Sequence, residues 1–268
     1  QVALFADTII ATFLASGALS ALYYADRLNQ LPIGVIGIAV GTVLLPEMSS
    51  RLAANDIEGA HHAQRRAVEF TLLLSVPFVA AFLVVPDIIM RAMFARGAFS
   101  AANASNAAAT LSAYAIGLVP FVLIRSAVAT FYARQDTATP VKAALIGVAA
   151  NVALKFALVG TLAQVGLALA TAVGAWINLL LVLYFAMRRD YLRLNAGLGR
   201  SLIKFTVAGI VLAASLYVAA LLSRMVLADW TLLRDETALG ILIVTGAIIY
   251  ASCIFVMFGR RWLYGLAR

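Results

Sequence analysis

Apolar residues run through this chain in long blocks, separated by short polar clusters. A helix needs about 20 mostly apolar residues to cross a bilayer, and the blocks predict roughly eight such helices, at 2–23, 28–50, 67–93, 107–133, 139–161, 164–187, 202–223 and 238–259. None of them alternates with period two, as the strands of a membrane barrel do. The predicted fold class is therefore all-α, a polytopic membrane protein. Pro77, Pro86 and Pro120 fall inside blocks and predict kinks or breaks. The stretch Asp87–Phe94, just after Pro86, reads as a separate interfacial turn. The link 51–66, with Asn55, Asp56, Glu58, His61 and His62, reads as polar and helical. The arginine-rich linker 188–204, with Gly197 and Gly199, is the clearest internal boundary. It divides the chain into a six-helix lobe, 1–190, and a linker with a terminal helix pair, 191–268.

Composition narrows the class. The chain is 64% hydrophobic and 12% charged, with a mean hydropathy of +0.99, whereas a soluble domain is about 45–50% apolar and about 25% charged. A water-soluble fold is excluded. The net charge of +8 does not point to nucleic acid, because the basic residues sit at the ends of apolar blocks and form no patch interleaved with aromatics. Counted by alternate loops, Lys and Arg divide 13 to 5. By the positive-inside rule the richer side, with both termini of this chain, is cytoplasmic. The single cysteine, Cys253, allows no internal disulfide. His61 and His62 lack partners at ligand spacing, so no metal site is expected. The chain opens at Gln1 on an apolar block with no signal peptide, as a piece of a longer membrane protein would.

The decad Tyr23–Pro32 (YYADRLNQLP) sets Asp26, Arg27, Asn29 and Gln30 between two apolar blocks. It is either a wet turn between two membrane helices or part of a polar site facing a cavity. In the block that follows, Arg27, Gln30, Gly34, Gly37, Gly41 and Met48 recur at helical intervals and share a face. One reading of this stripe is close helix packing on small residues. The other is the wall of a solvated cavity, where Arg27 offers a forked cation to an anionic group. Arg125 lies deep in the fourth block, where an ionisable residue normally faces a bundle interior or a water-filled path. Lys155 is nearer the end of its block and within reach of the surface by snorkelling. Asn151, one turn earlier on the same face, could share a polar path with it. Glu47 and Arg51 are spaced as a surface ion pair. No phosphate loop, metal motif or nucleophile–base pair emerges, so neither enzymatic chemistry nor a cofactor is expected.

Three strings go further than the physics. Tyr23–Pro32, Gly34–Pro46 (GVIGIAVGTVLLP) and above all Phe131–Lys142 (FYARQDTATPVK) resemble the MurJ, or MviN, family of lipid II flippases, in order along the whole chain. The resemblance implies fourteen helices in two six-helix lobes plus a final pair, of which this chain matches the second lobe and the pair. It implies alternating-access flipping of the undecaprenyl-diphosphate-linked peptidoglycan precursor across the bacterial inner membrane. It also implies a central arginine-lined cavity completed by the missing N-terminal lobe, and a lipid-tail groove at the last two helices. Asp26 and Arg27 carry over directly. Some relatives have an acid where this chain has Gln30, so a charged-gate role does not carry over there. The expected substrate-binding set is thus Arg27, Asp26, Gln30, Arg125, Lys155 and Asn151, with a lipid-linked diphosphate sugar and membrane lipids as partners. The rival readings are an exporter of another lipid-linked oligosaccharide and a non-transporting membrane scaffold.

Overall fold

The computed structural model describes residues 9–10, 12–97, 99–192, 196–228, 230 and 233–266. Seven helices run through them, with no strand among the described residues: α1 Ala18–Ala53, α2 Ile57–Val84, α3 Pro86–Phe94, α4 Ala101–Tyr132, α5 Ala138–Arg188, α6 Ala196–Val226 and α7 Arg234–Leu266. Six of these are long and apolar enough to cross a membrane. Of the expected first span, 2–23, residues 2–8 and 11 lie outside the described residues; 12–17 form turns and 18–23 already belong to α1, so no continuous helix spans 2–23.

The break points follow local chemistry. Helix α1 starts after Gly17, whose φ of 95° is a left-handed conformation that glycine adopts at little cost. Asp56 caps α2 by accepting from the Gly59 N–H at 2.8 Å, and Ser100 caps α4 by accepting from that of Asn103 at 3.3 Å. Between α2 and α3, Val85 leaves the helical region (φ −127°, ψ 37°) directly before Pro86. Proline disfavours helical backbone in the residue before it, so α3 stands apart, as the sequence predicts, but as a short helix where a turn was expected. Pro77 and Pro120 instead stay inside continuous helices.

Helix α5 is an antiparallel hairpin folded at Ala163 (φ 46°, ψ −129°). It supplies the two spans expected at 139–161 and 164–187. Its arms pack through small residues: a Cβ on Gly174 would fall 2.7 Å from that of Asn151, and one on Gly147 would fall 2.9 Å from that of Asn178. Helix α4 meets the second arm as closely, since a Cβ on Gly117 would lie 2.8 Å from Ala172 Cα. In a membrane, where apolar burial drives little association, such close approach and interhelical hydrogen bonds hold helices together. The bonds from Trp176 Nε1 to the Ile116 carbonyl at 2.9 Å and from Ser112 Oγ to the Phe82 carbonyl at 3.1 Å are of this kind.

Of the two readings of the decad Tyr23–Pro32, the turn falls, because α1 runs through it unbroken. Its exposed and half-buried polar side chains meet one another along the helix. Gln30 donates to Asp26 one turn back, and the Arg27 guanidinium stacks 4.9 Å from the Tyr23 ring centroid, also one turn back. The loop before α1 closes at Gly17, so the predicted boundary at 23 is about one and a half turns late.

Candidate functional site

Helix α1 presents two kinds of surface around the decad. Ala25, Leu28, Asn29 and Pro32 are buried, while Tyr23, Arg27 and Gln30 are exposed and Asp26 is half-buried. Tyr24 fixes the helix in rotation, packing its ring 4.7 Å from Phe94 and 4.9 Å from Phe99. With Tyr24 so held, Tyr23 and Arg27 project to the open side. Asn29, only 2% exposed, turns inward, and its Oδ1 has no hydrogen-bond partner.

The glycine stripe continues that open side. Among the described residues no atom lies within 4 Å of where a Cβ would stand on Gly34 or Gly41, so these glycines serve no close packing among them. Gly37 differs. A Cβ there would lie 2.4 Å from Arg125 Nε and 2.6 Å from its Cδ. Arg125 reaches across from α4 and lies in the notch that Gly37 leaves, with much of its side chain exposed. The structure therefore brings Arg27 and Arg125 to one open face of α1, about 15 Å apart along the helix by the ten residues from 27 to 37. Each guanidinium on this open groove wall can take an anionic group by forked hydrogen bonds.

Lys155 and Asn151 are not on that face. Lys155 is 0% exposed and Asn151 is buried, both on the inner side of the α5 hairpin. The expectation that Lys155 snorkels is corrected: its side of the helix faces inward, which closes the path to the surface. Asn151 and, on the facing arm, Asn178 each leave Oδ1 without a hydrogen-bond partner. The Glu47–Arg51 pair forms as expected, at 3.0 Å.

The most specific string, Phe131–Lys142, proves to be a structural lock. Gln135 takes a left-handed turn (φ 60°). Asp136 then accepts from the Thr139 N–H at 3.1 Å and from its hydroxyl at 2.8 Å, at the start of α5. The same carboxylate holds Arg189 beyond the far end of α5, so it ties the two ends of the hairpin together. Arg134 stacks 4.5 Å from the Tyr191 ring centroid beside it. Burial opposes ionisation of Asp136, but the Thr139 hydrogen bonds and the Arg189 cation outweigh it and hold the carboxyl below the usual carboxylate range.

Sequence reasoning missed Glu69. It is 3% exposed, and three donors converge on it: Arg65 Nε at 2.9 Å, Ser201 Oγ at 2.6 Å and Trp262 Nε1 at 2.9 Å. Only the Arg65 spacing was visible in the sequence. The other partners lie 132 and 193 residues away.

Comparison with known proteins agrees with this architecture. The family model described as lipid II flippase MurJ matches residues 1–234. A probable lipid II flippase MurJ of Rhizobium meliloti (strain 1021) is 42% identical over 219 residues, 82% of this chain and 41% of its own length. One of Rhizobium tropici is 37% identical, over 94% of this chain and 48% of its own length. A lipid II flippase MurJ of Burkholderia cenocepacia is 30% identical, over 99% of this chain and 50% of its own. The chain thus spans about two-fifths to one half of these relatives. Among solved structures, a lipid II flippase MurJ in an inward closed conformation superposes with a TM-score of 0.77 at 23% identity, over 96% of this chain and 51% of its own. An outward-facing multidrug resistance transporter of the MATE family superposes at 0.62 with 19% identity, over 96% of this chain and 60% of its own. Both likenesses bear on the fold. With the family model covering most of the chain and a relative above 40% identity, this multi-pass membrane protein belongs to the lipid II flippase MurJ family.

Proposed function

We propose that this chain is the C-terminal lobe and terminal helix pair of a lipid II flippase. The whole protein moves the undecaprenyl-diphosphate-linked disaccharide-pentapeptide across the bacterial cytoplasmic membrane by rocking two lobes about a midplane site. The observation that carries the reading is the open face of α1, where Arg27 and Arg125 stand with Gly34 and Gly41, which no described part of this chain covers. Cations that are accessible on a bundle face at membrane depth suit a diphosphate, since isolated charge there is costly unless it meets a partner or water. Asp26 and Gln30 hold each other at the rim and keep the Arg27 side of the helix polar. Lys155 and Asn151 act from inside the lobe, shaping the α5 hairpin. The second wall of the cavity is the N-terminal lobe of the same protein. The loops richer in Lys and Arg, by 13 to 5, face the cytoplasm together with both termini of this chain. Residues 1–190 form the transport lobe and 191–268 the linker and terminal pair. Flipping needs binding and conformational change and no covalent step.

The test is complementation of a flippase-depleted strain by the full-length protein. Arg27→Ala and Arg125→Ala are each expected to abolish growth at normal expression. Cysteines placed at 27 and 125 should react with a membrane-impermeant thiol reagent in one conformation. Normal growth of both alanine variants would overturn the site, and cysteines that never react would overturn the cavity.

A further inference from the structure

At the end of the bundle opposite the 51–66 link, basic residues are scarce, yet four arginines gather in one place. Arg91 on α3, with Arg224 and Arg234 at the facing ends of α6 and α7, lines a cavity of about 340 Å³ together with Asp87, Ser223 and Asp235. Arg96 adds a fourth beside it, bonded at 2.8 Å to Glu236. The charges do not simply cancel. Asp87 is engaged with Arg91, Oδ2 to Nε at 2.9 Å. Arg234 donates to the backbone carbonyl of Arg224 at 3.3 Å, which fixes its side chain against the end of α6 without neutralising it. Among the described residues, no side-chain hydrogen bond or ion pair holds the Arg224 guanidinium. The Ser223 hydroxyl is committed to the Ala220 carbonyl at 2.9 Å.

A second, smaller cavity of about 70 Å³ adjoins this cup and shares Asp87, Ile88 and Arg224 with it. Its other walls are apolar and include Val84, Tyr217 and Leu221. Tyr217 is 59% exposed and Leu221 is 42% exposed on the apolar flank of α6, so the slot opens sideways into the membrane. A cationic cup that continues into a lipid-facing apolar slot fits a ligand with a phosphate head and a hydrocarbon tail.

We propose that this junction of α3 with the α6–α7 end binds the phosphate of a membrane lipid, with Arg224 and Arg234 as the free cations and Tyr217 and Leu221 against its chain. Guanidinium suits phosphate because its planar donors pair with two oxygens at once. The site is separate from the open face of α1, and its test reads binding, not transport.

The experiment uses the full-length protein in detergent and native mass spectrometry with three probes: dioctanoyl phosphatidic acid, dioctanoylglycerol and inorganic phosphate. The variants are the double substitution Arg224→Gln/Arg234→Gln and the single Tyr217→Ala, all at exposed positions. The double variant is expected to lower affinity for the phosphatidic acid about tenfold, with dioctanoylglycerol binding unchanged. Tyr217→Ala should weaken the phosphatidic acid and leave phosphate untouched. Equal phosphatidic acid affinity in the double variant and the parent would overturn the proposal. So would dioctanoylglycerol binding as tightly as the phosphatidic acid, since the cup would then be idle. Inorganic phosphate binding as tightly as the lipid would overturn the lipid source.

Discussion

Adding one methyl group at Gly37 separates the two readings of the glycine stripe. The Cβ of Gly37→Ala would stand 2.4 Å from Arg125 Nε and 2.6 Å from its Cδ, where comfortable heavy-atom separations are about 3.5 Å or more. Arg125 must therefore retreat by about 1 Å. Its side chain is largely exposed, so the retreat costs little stability. Alanine in place of glycine inside a helix adds up to about 1 kcal/mol. Folding should be unchanged or slightly improved. Function should not be: a misplacement of about 1 Å in a positioned group can cost on the order of a hundredfold, or about 2.7 kcal/mol in the barrier. Gly34→Ala and Gly41→Ala meet no atom within 4 Å and should keep both activity and stability. The assay is the rate at which lipid II becomes accessible on the outer face of cells carrying each full-length variant, with Tm measured on the purified proteins. Wild-type flipping by Gly37→Ala would refute the reasoning. Equal loss in all three variants would refute it too, because the stripe would then be a packing seam against the other lobe.

Other expectations follow from single contacts. Glu69→Ala should destabilise the protein by about 1–3 kcal/mol, because it strands the Trp262 N–H, leaves the Ser201 hydroxyl only its bond to the Gly197 carbonyl and removes the partner of half-buried Arg65; thermal denaturation of the purified protein checks this. Gly174→Ala drives a methyl to 2.7 Å from Asn151 Cβ and 2.9 Å from the Gly147 carbonyl oxygen, so it should cost about 1–3 kcal/mol through overpacking, visible as a lowered Tm, whereas Gly160→Ala, with open space around it, should not. The Asp136 carboxyl titrates lower folded than unfolded, so its stabilisation is complete above the unfolded carboxylate pKa, about 3.9. It should be lost as pH falls through the folded value. Asp136→Asn should therefore lower Tm at pH 7 and converge with the parent at the acid end of a pH series.

Hydrophobic blocks made the helices legible, because each must offer the membrane about 20 apolar residues whatever its neighbours. The α5 hairpin shows this well, with arms that match blocks 139–161 and 164–187 on either side of Ala163. The helix boundary placed at 23 was wrong for a physical reason. Polar residues between apolar blocks look like a loop, but Tyr23, Asp26, Arg27 and Gln30 pair at a spacing of four and so satisfy themselves on a helix. The face shared by Arg27 and three glycines was visible from spacing alone. That Arg125 fills the Gly37 notch was not, because it depends on how α4 crosses α1. Lys155 was misplaced likewise: the sequence gives its depth, but only the hairpin partner decides which way it faces. The string Phe131–Lys142 was legible as a resemblance, while its role needed Arg189, 53 residues away.

The boundary near residue 190 also changes meaning in three dimensions. The terminal pair packs on α2 along one line of that helix. Glu69 accepts from Ser201 on α6 and Trp262 on α7, Leu73 gives its carbonyl to the Tyr250 hydroxyl at 2.9 Å, and Val76 lies 3.0 Å from where a Cβ on Gly209 would stand. Positions 69, 73 and 76 follow the helical spacing of a single face. Further along, α2 receives the Ser112 hydroxyl of α4 at Phe82, so the same helix serves the lobe body. Between α6 and α7, Lys204 bonds the Met257 carbonyl and sits 4.7 Å from the Phe258 ring centroid. A carboxylate as buried as Glu69 holds its charge only while its hydrogen bonds stay made, so sliding the pair along α2 would take the Ser201 and Trp262 bonds from it at once. The arginine-rich linker is a seam in composition and α2 is a shared beam. The terminal pair is thus held to the lobe through α2, and its orientation to the Arg27 face runs through that helix.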